Sequence, residues 1–112
     1  MTFNEENVEG IIVLAIGGKI NTEASESFSK KMTSLIENGA RQMLLDLSGV
    51  DYINSSGLRA LLAAAKKMAD LGGKMALADV AELIYRVLEV SGCTSHIRVY
   101  HSREEALKSL KV

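Results

Sequence analysis

The sequence predicts an α/β layered domain, and three observations carry that prediction. Short apolar runs, bounded by Gly and Asn, alternate with longer stretches whose apolar residues recur at helical spacing. The chain contains no proline, so nothing interrupts these segments. Its 112 residues match the length of one ordinary domain, and no internal repeat or linker divides them. One domain over 1–112 is therefore expected.

Residues 2–8 read as a short edge strand joined to the next by Glu9-Gly10. The run Ile11-Ile12-Val13-Leu14-Ala15-Ile16 is apolar and rich in β-branched residues, as a buried strand requires, and Gly17-Gly18 is expected to end it. A helix follows, with Ala24, Phe28, Met32, Leu35 and Ile36 on one face, Asn21 or Thr22 as its N-cap and Asn38-Gly39 as its stop. Residues 42–47 form a second buried strand centred on Met43-Leu44-Leu45. The strongest helix comes next: Leu58, Leu61, Leu62, Ala65, Met68 and Ala69 form its stripe, and Gly72-Gly73 closes it. Residues 74–78 then read as a strand and 81–90 as a helix with Ile84, Val87 and Leu88 inward. Residues 97–100 give a last strand. Residues 102–110 give a last helix, opened by Ser102 and Glu105 at capping-box spacing.

Composition excludes several functions. Apolar residues make up 47% of the chain, enough for a real core, and the charged fraction of 24% is ordinary for a soluble protein. A net charge of −1 and only 4% aromatics argue against nucleic-acid binding, which calls for a basic surface and stacking side chains. The longest apolar run falls far short of the roughly 18–20 residues that cross a bilayer. The N-terminus has no basic region and no apolar signal core, so a cytoplasmic protein away from the membrane is expected. Cys93 is the single cysteine, which rules out an internal disulfide and suits a reducing compartment; its plain reading is a small buried hydrophobe. With His96 and His101 it makes no common zinc spacing, so neither a metal nor a cofactor is expected.

The informative stretch runs from Asp46 to Leu58: Asp46-Leu47-Ser48-Gly49-Val50-Asp51-Tyr52-Ile53-Asn54-Ser55-Ser56-Gly57-Leu58. A buried strand ends, a turn follows, and two serines stand at the mouth of the strongest helix. Such a mouth carries unpaired N–H groups and a partial positive charge, which favour an anion. A phosphate on Ser55 or Ser56 would meet those donors, and Gly57 would leave the hydroxyl uncrowded. The plainer reading is that the serines only cap the helix. Both can hold, one serine capping while the next presents its hydroxyl. No G-x-S-x-G elbow and no phosphate-binding glycine loop with Lys-Ser/Thr is present. Asp46 and Asp51 lie far in sequence from any histidine. They read as a strand-end and a solvated turn residue, so no enzyme is expected.

Asp46-Leu47-Ser48 together with Ile53-Asn54-Ser55-Ser56-Gly57-Leu58 resembles the signature of the sulfate transporter and anti-sigma factor antagonist (STAS) domain. The resemblance runs over nearly the whole chain, to the closing Ser-Arg-Glu-Glu-Ala-Leu helix. It implies a small mixed β-sheet of four to five strands, with about four helices packed mainly on one face. It implies partner switching: the unphosphorylated protein binds an anti-sigma factor that is itself a serine kinase and so releases the sigma factor. The kinase then phosphorylates the antagonist, and a metal-dependent serine phosphatase resets it. By this resemblance Ser56 is the acceptor and Ser55 the helix cap, with Asn21, Asn54 and Gly57 around the acceptor; Arg59, one turn along, and Leu58 are the candidate partner contacts. A solvated surface arginine is the commoner role for Arg59. The family often has Asp where Asn21 and Asn54 stand here; the amides reduce repulsion of a phosphate and remove acceptors a kinase could read. A monomer or weak dimer is expected. The competing reading is a non-switching subunit of the same fold bound to a transporter ATPase, which would need no chemistry at Ser56.

Overall fold

The computed structural model describes residues 1–111. Five strands, β1 (Thr2–Val8), β2 (Ile11–Ile20), β3 (Gln42–Ile53), β4 (Lys74–Ala78) and β5 (Arg98–Tyr100), lie side by side in chain order in one mixed sheet. β1 runs antiparallel to β2, and the other neighbours are parallel. Helices α1 (Thr22–Glu37), α2 (Ser55–Asp70) and α3 (Glu82–Val90) make the three parallel crossovers, and α4 (Arg103–Leu110) follows β5. A short 3-10 turn at Cys93–Ser95 precedes β5.

The topology decides the layers. Each crossover steps the same way along the sheet, and right-handed crossovers that step one way put their helices on one face. Phe28, Met32, Leu35 and Ile36 of α1, Leu61, Ala64 and Met68 of α2, and Ile84 and Leu88 of α3 share one core with Leu14, Ile16, Met43, Leu45 and Leu47. The alternate strand residues Ile11, Val13, Leu44, Ala76 and Ala78 point the other way and meet Ala106 and Leu110 of α4. Three helices on one face and one on the other match the mixed-sheet architecture expected.

Several elements differ from the reading of the sequence. β2 does not stop at Gly17-Gly18 but runs on to Ile20, and β3 runs on to Ile53, which makes Asp51 an exposed strand residue rather than a turn. The glycines allow it. A Cβ on Gly49 would stand 3.1 Å from Gly17 Cα, tighter than an ordinary side-chain contact, so the two strands pass closely here, and the register shifts on either side. On α2 the buried stripe is Gly57, Leu61, Ala64 and Met68, while Leu58, Leu62 and Ala65 are half-buried and Ala69 is exposed. α2 packs against α1 as well as the sheet, and small Ala64 lets α1 approach. α3 begins at Glu82, Val87 is half-buried, and Ile97 is buried just ahead of β5. Ser25 rather than Ala24 is buried on α1, its hydroxyl donating to Asn21 O at 2.6 Å.

Asp46 is not a strand-end residue. It sits within β3 on the α4 face, where Arg103 donates to its Oδ2 at 2.8 Å and the Ser48 N–H to its Oδ1 at 2.9 Å. Arg103 also reaches Glu6 at 2.9 Å, tying α4 to β1 and β3. Burial pushes the Asp46 carboxyl up, but the Arg103 guanidinium and the Ser48 N–H outweigh it and hold its pKa below the usual value. A carboxylate with a lowered folded-state pKa stabilises the fold above its unfolded pKa, and that contribution disappears as pH falls through the folded value. Asp46→Asn should therefore cost about 2 kcal/mol at pH 7, as expected for one lost hydrogen bond to a charged group, with Arg103 keeping its bond to Glu6. Urea unfolding as a function of pH checks this: the gap between the two proteins should close below about pH 4.

Candidate functional site

The site forms where β2 and β3 end together. Their register pairs Ile20 with Ile53, so the next residues, Asn21 and Asn54, emerge side by side. Each caps a helix. Asn21 Oδ1 accepts from Ala24 N at 2.9 Å, and Asn54 Oδ1 accepts from Gly57 N at 3.1 Å. Two helix N-termini thus open at one edge of the sheet.

This corrects the assignment of the cap on α2. Asn54 has the extended backbone of an N-cap, and Ser55 is the first helical residue, exposed. Gly57 also serves differently from the sequence reading. It is buried and faces the sheet; a Cβ there would lie 2.4 Å from the Ile20 carbonyl oxygen and 2.9 Å from Ile53 Cγ1. The glycine lets α2 sit directly on the strand ends, and this seat carries Ser56 to the mouth of α1.

Ser56 is half-buried on the rim. Its Oγ lies 3.3 Å from Thr22 Oγ1 and accepts from Arg59 Nη2 at 3.4 Å. Asn54 Nδ2 donates to Thr22 Oγ1 at 3.1 Å. Ser56, Thr22, Asn54 and Arg59 are thus linked by hydrogen bonds, while Asn21 caps α1 alongside. Thr22 is the hydroxyl nearest Ser56, and sequence reading singled it out only as a possible cap of α1. Leu58 is half-buried against the larger core, and Arg59 is exposed. Nearby, Lys19 pairs with Asp51 at 3.8 Å and lies 5.6 Å from the centre of the Tyr52 ring, which is 44% exposed.

The remaining candidates lie elsewhere. Cys93 is buried and takes a hydrogen bond from Ser91 Oγ at 3.3 Å. Among the described residues no three His, Cys, Asp or Glu side chains group as metal ligands would. Among the same residues no helix is long and apolar enough to cross a membrane.

Fold and site together define a small α/β domain that presents one serine hydroxyl at the junction of two helix mouths. The chain belongs to the STAS domain family, whose pattern its residues 2–106 match. It is 30% identical over 111 residues to BtrV of Bordetella bronchiseptica, named an anti-sigma factor antagonist, with 99% of this chain and 96% of that one covered. Two solved structures share the fold. The anti-sigma factor antagonist TM1081 from Thermotoga maritima superposes with a TM-score of 0.93 at 24% identity, covering 98% of this chain and 95% of that one. The Bacillus cell fate determinant SpoIIAA in its phosphorylated form superposes with a TM-score of 0.72 at 20% identity, covering 96% and 98%.

Proposed function

We propose that this chain is an anti-sigma factor antagonist, acting as one STAS domain in the cytoplasm and controlled by phosphorylation of Ser56. Unphosphorylated, it binds an anti-sigma factor that is a serine kinase and so frees the sigma factor; phosphorylated, it lets go, and a serine phosphatase restores it. The observation that carries this reading is the position of Ser56 Oγ on the rim of α2, within hydrogen-bond reach of Arg59 and Thr22. A phosphate there adds about −1.5 to −2 charges, with a guanidinium and free helix amides at hand. The family membership and the names of the relatives support the same reading.

The chain acts by binding and catalyses nothing. The hydrogen-bond partners of Ser56 are a threonine and an arginine, and neither takes up a proton at neutral pH. The base and the phosphoryl donor must both come from the partner kinase. Leu58 and Arg59, one half-buried and one exposed beside the acceptor, belong to the surface the partner covers.

Incubating the chain with a lysate of its own cells and ATP, then mapping phosphate by mass spectrometry, tests the assignment. Phosphate is expected on Ser56 and lost in Ser56→Ala. Phosphate on Ser55 instead, or none on the chain, would overturn it.

A further inference from the structure

The polar side chains around Ser56 form a short chain of hydrogen bonds, and Asn54 sets its sense. A backbone N–H can be met only by the oxygen of an amide side chain. Because Asn54 Oδ1 takes the Gly57 N–H at 3.1 Å, the group that faces Thr22 is the NH2. It donates to Thr22 Oγ1 at 3.1 Å. Between Thr22 and Ser56, 3.3 Å apart, either hydroxyl can donate. Each already accepts from its other side, Thr22 from Asn54 at 3.1 Å and Ser56 from Arg59 at 3.4 Å. Arg59 is exposed and its bond is the longer, whereas Asn54, held by its cap, occupies one lone pair of Thr22 Oγ1 and leaves the Thr22 proton directed at Ser56. The chain therefore runs from Asn54 through Thr22 to Ser56.

The geometry points to Thr22 as a positioning residue for phosphoryl transfer: braced by Asn54, it donates to Ser56 Oγ and turns the Ser56 proton outward. This rests on the reading of Ser56 as the phosphoacceptor. A carboxylate in place of Asn54 would accept from Thr22 and run the chain the other way, so the arrangement belongs to the asparagine. In the transfer, Ser56 Oγ bonds to the γ-phosphorus of a nucleoside triphosphate as the bond to the β–γ bridging oxygen breaks. The nucleoside diphosphate leaves, and the outward proton passes to a base on the kinase. Thr22, fixed by α1, keeps donating to one lone pair of the oxygen while its proton departs, and the exposed Arg59 releases the other lone pair to attack phosphorus.

Thr22→Val removes the hydroxyl at nearly constant volume, and Thr22→Ser keeps it. Thr22 is exposed at the first position of α1, so both variants should fold. Two readouts are needed. Three-bond NMR couplings of Ser56 should show one side-chain rotamer in the wild type and in Thr22→Ser, and averaging in Thr22→Val. With the kinase activity of the native lysate and labelled ATP, Thr22→Val should lower the maximal labelling rate about tenfold at unchanged KM, and Thr22→Ser should restore it. A single Ser56 rotamer in Thr22→Val, or wild-type labelling of that variant, overturns the proposal. The two readings fail separately: label that persists on Ser56→Ala removes the acceptor and the proposal with it. The couplings report the Thr22 contact whether or not any kinase acts.

Discussion

Ser56→Asp is expected to weaken binding to the anti-sigma partner about a hundredfold, while Ser56→Ala binds like the unphosphorylated chain. The half-buried Ser56 Oγ sits beside neutral Thr22, which Asn54 braces, and among the described residues Arg59 is the cation that bonds to it. A partner covering this rim must strip water from whatever Ser56 carries. A serine or alanine loses little, whereas a carboxylate brings a full charge that Arg59 must meet in place of any partner group. Leaving such a charge poorly paired in an interface costs several kcal/mol, and each 1.4 kcal/mol is tenfold in affinity. Affinity capture from native lysate with the two variants as paired baits makes the comparison, followed by titration calorimetry on the captured partner. A serine-kinase-like ATPase held by the alanine bait and lost from the aspartate bait would establish the switch. A transporter ATPase held equally by both would replace it with a scaffold role.

Gly57→Ala should destabilise the domain by about 2 kcal/mol, although alanine is the better helix former by about 1 kcal/mol. The added methyl would stand 2.4 Å from the Ile20 carbonyl oxygen and 2.8 Å from Ile20 Cγ2. The first is backbone in β2 and cannot rotate away, so α2 must lift off the strand ends. Lifting also strains the Asn54 N–H bond to Ile20 O, 3.3 Å long, and carries Ser56 away from Thr22. Thermal unfolding should show a midpoint roughly 10 °C lower. An unchanged midpoint would mean that α2 is not seated on Ile20, and the junction of the two helix mouths would lose its explanation.

The order of strands and helices, most helix starts and stops, and the serine pair at the mouth of α2 are all legible in the residues. These signals are local. The alternation of buried residues in β2 and the stripe on α1 repeat within a few positions, and Ser102 finds its partner at Glu105 three residues on. The family signature from Asp46 to Leu58 is likewise one continuous stretch, and it pointed to Ser56 before any neighbour was known. What sequence reading missed depends on residues that meet across the fold. Glycine often ends a strand, so Gly17-Gly18 reads as a stop; paired with Gly49 in one sheet, it instead lets two strands pass closely and continue. Their continuation sets Ile20 beside Ile53, and that register places the two asparagine caps together. Thr22 then touches Ser56 from 34 positions away, and Arg103 reaches Asp46 from 57. No periodicity or capping rule links residues so far apart, because such pairs are chosen by strand register and by which face of the sheet a helix covers.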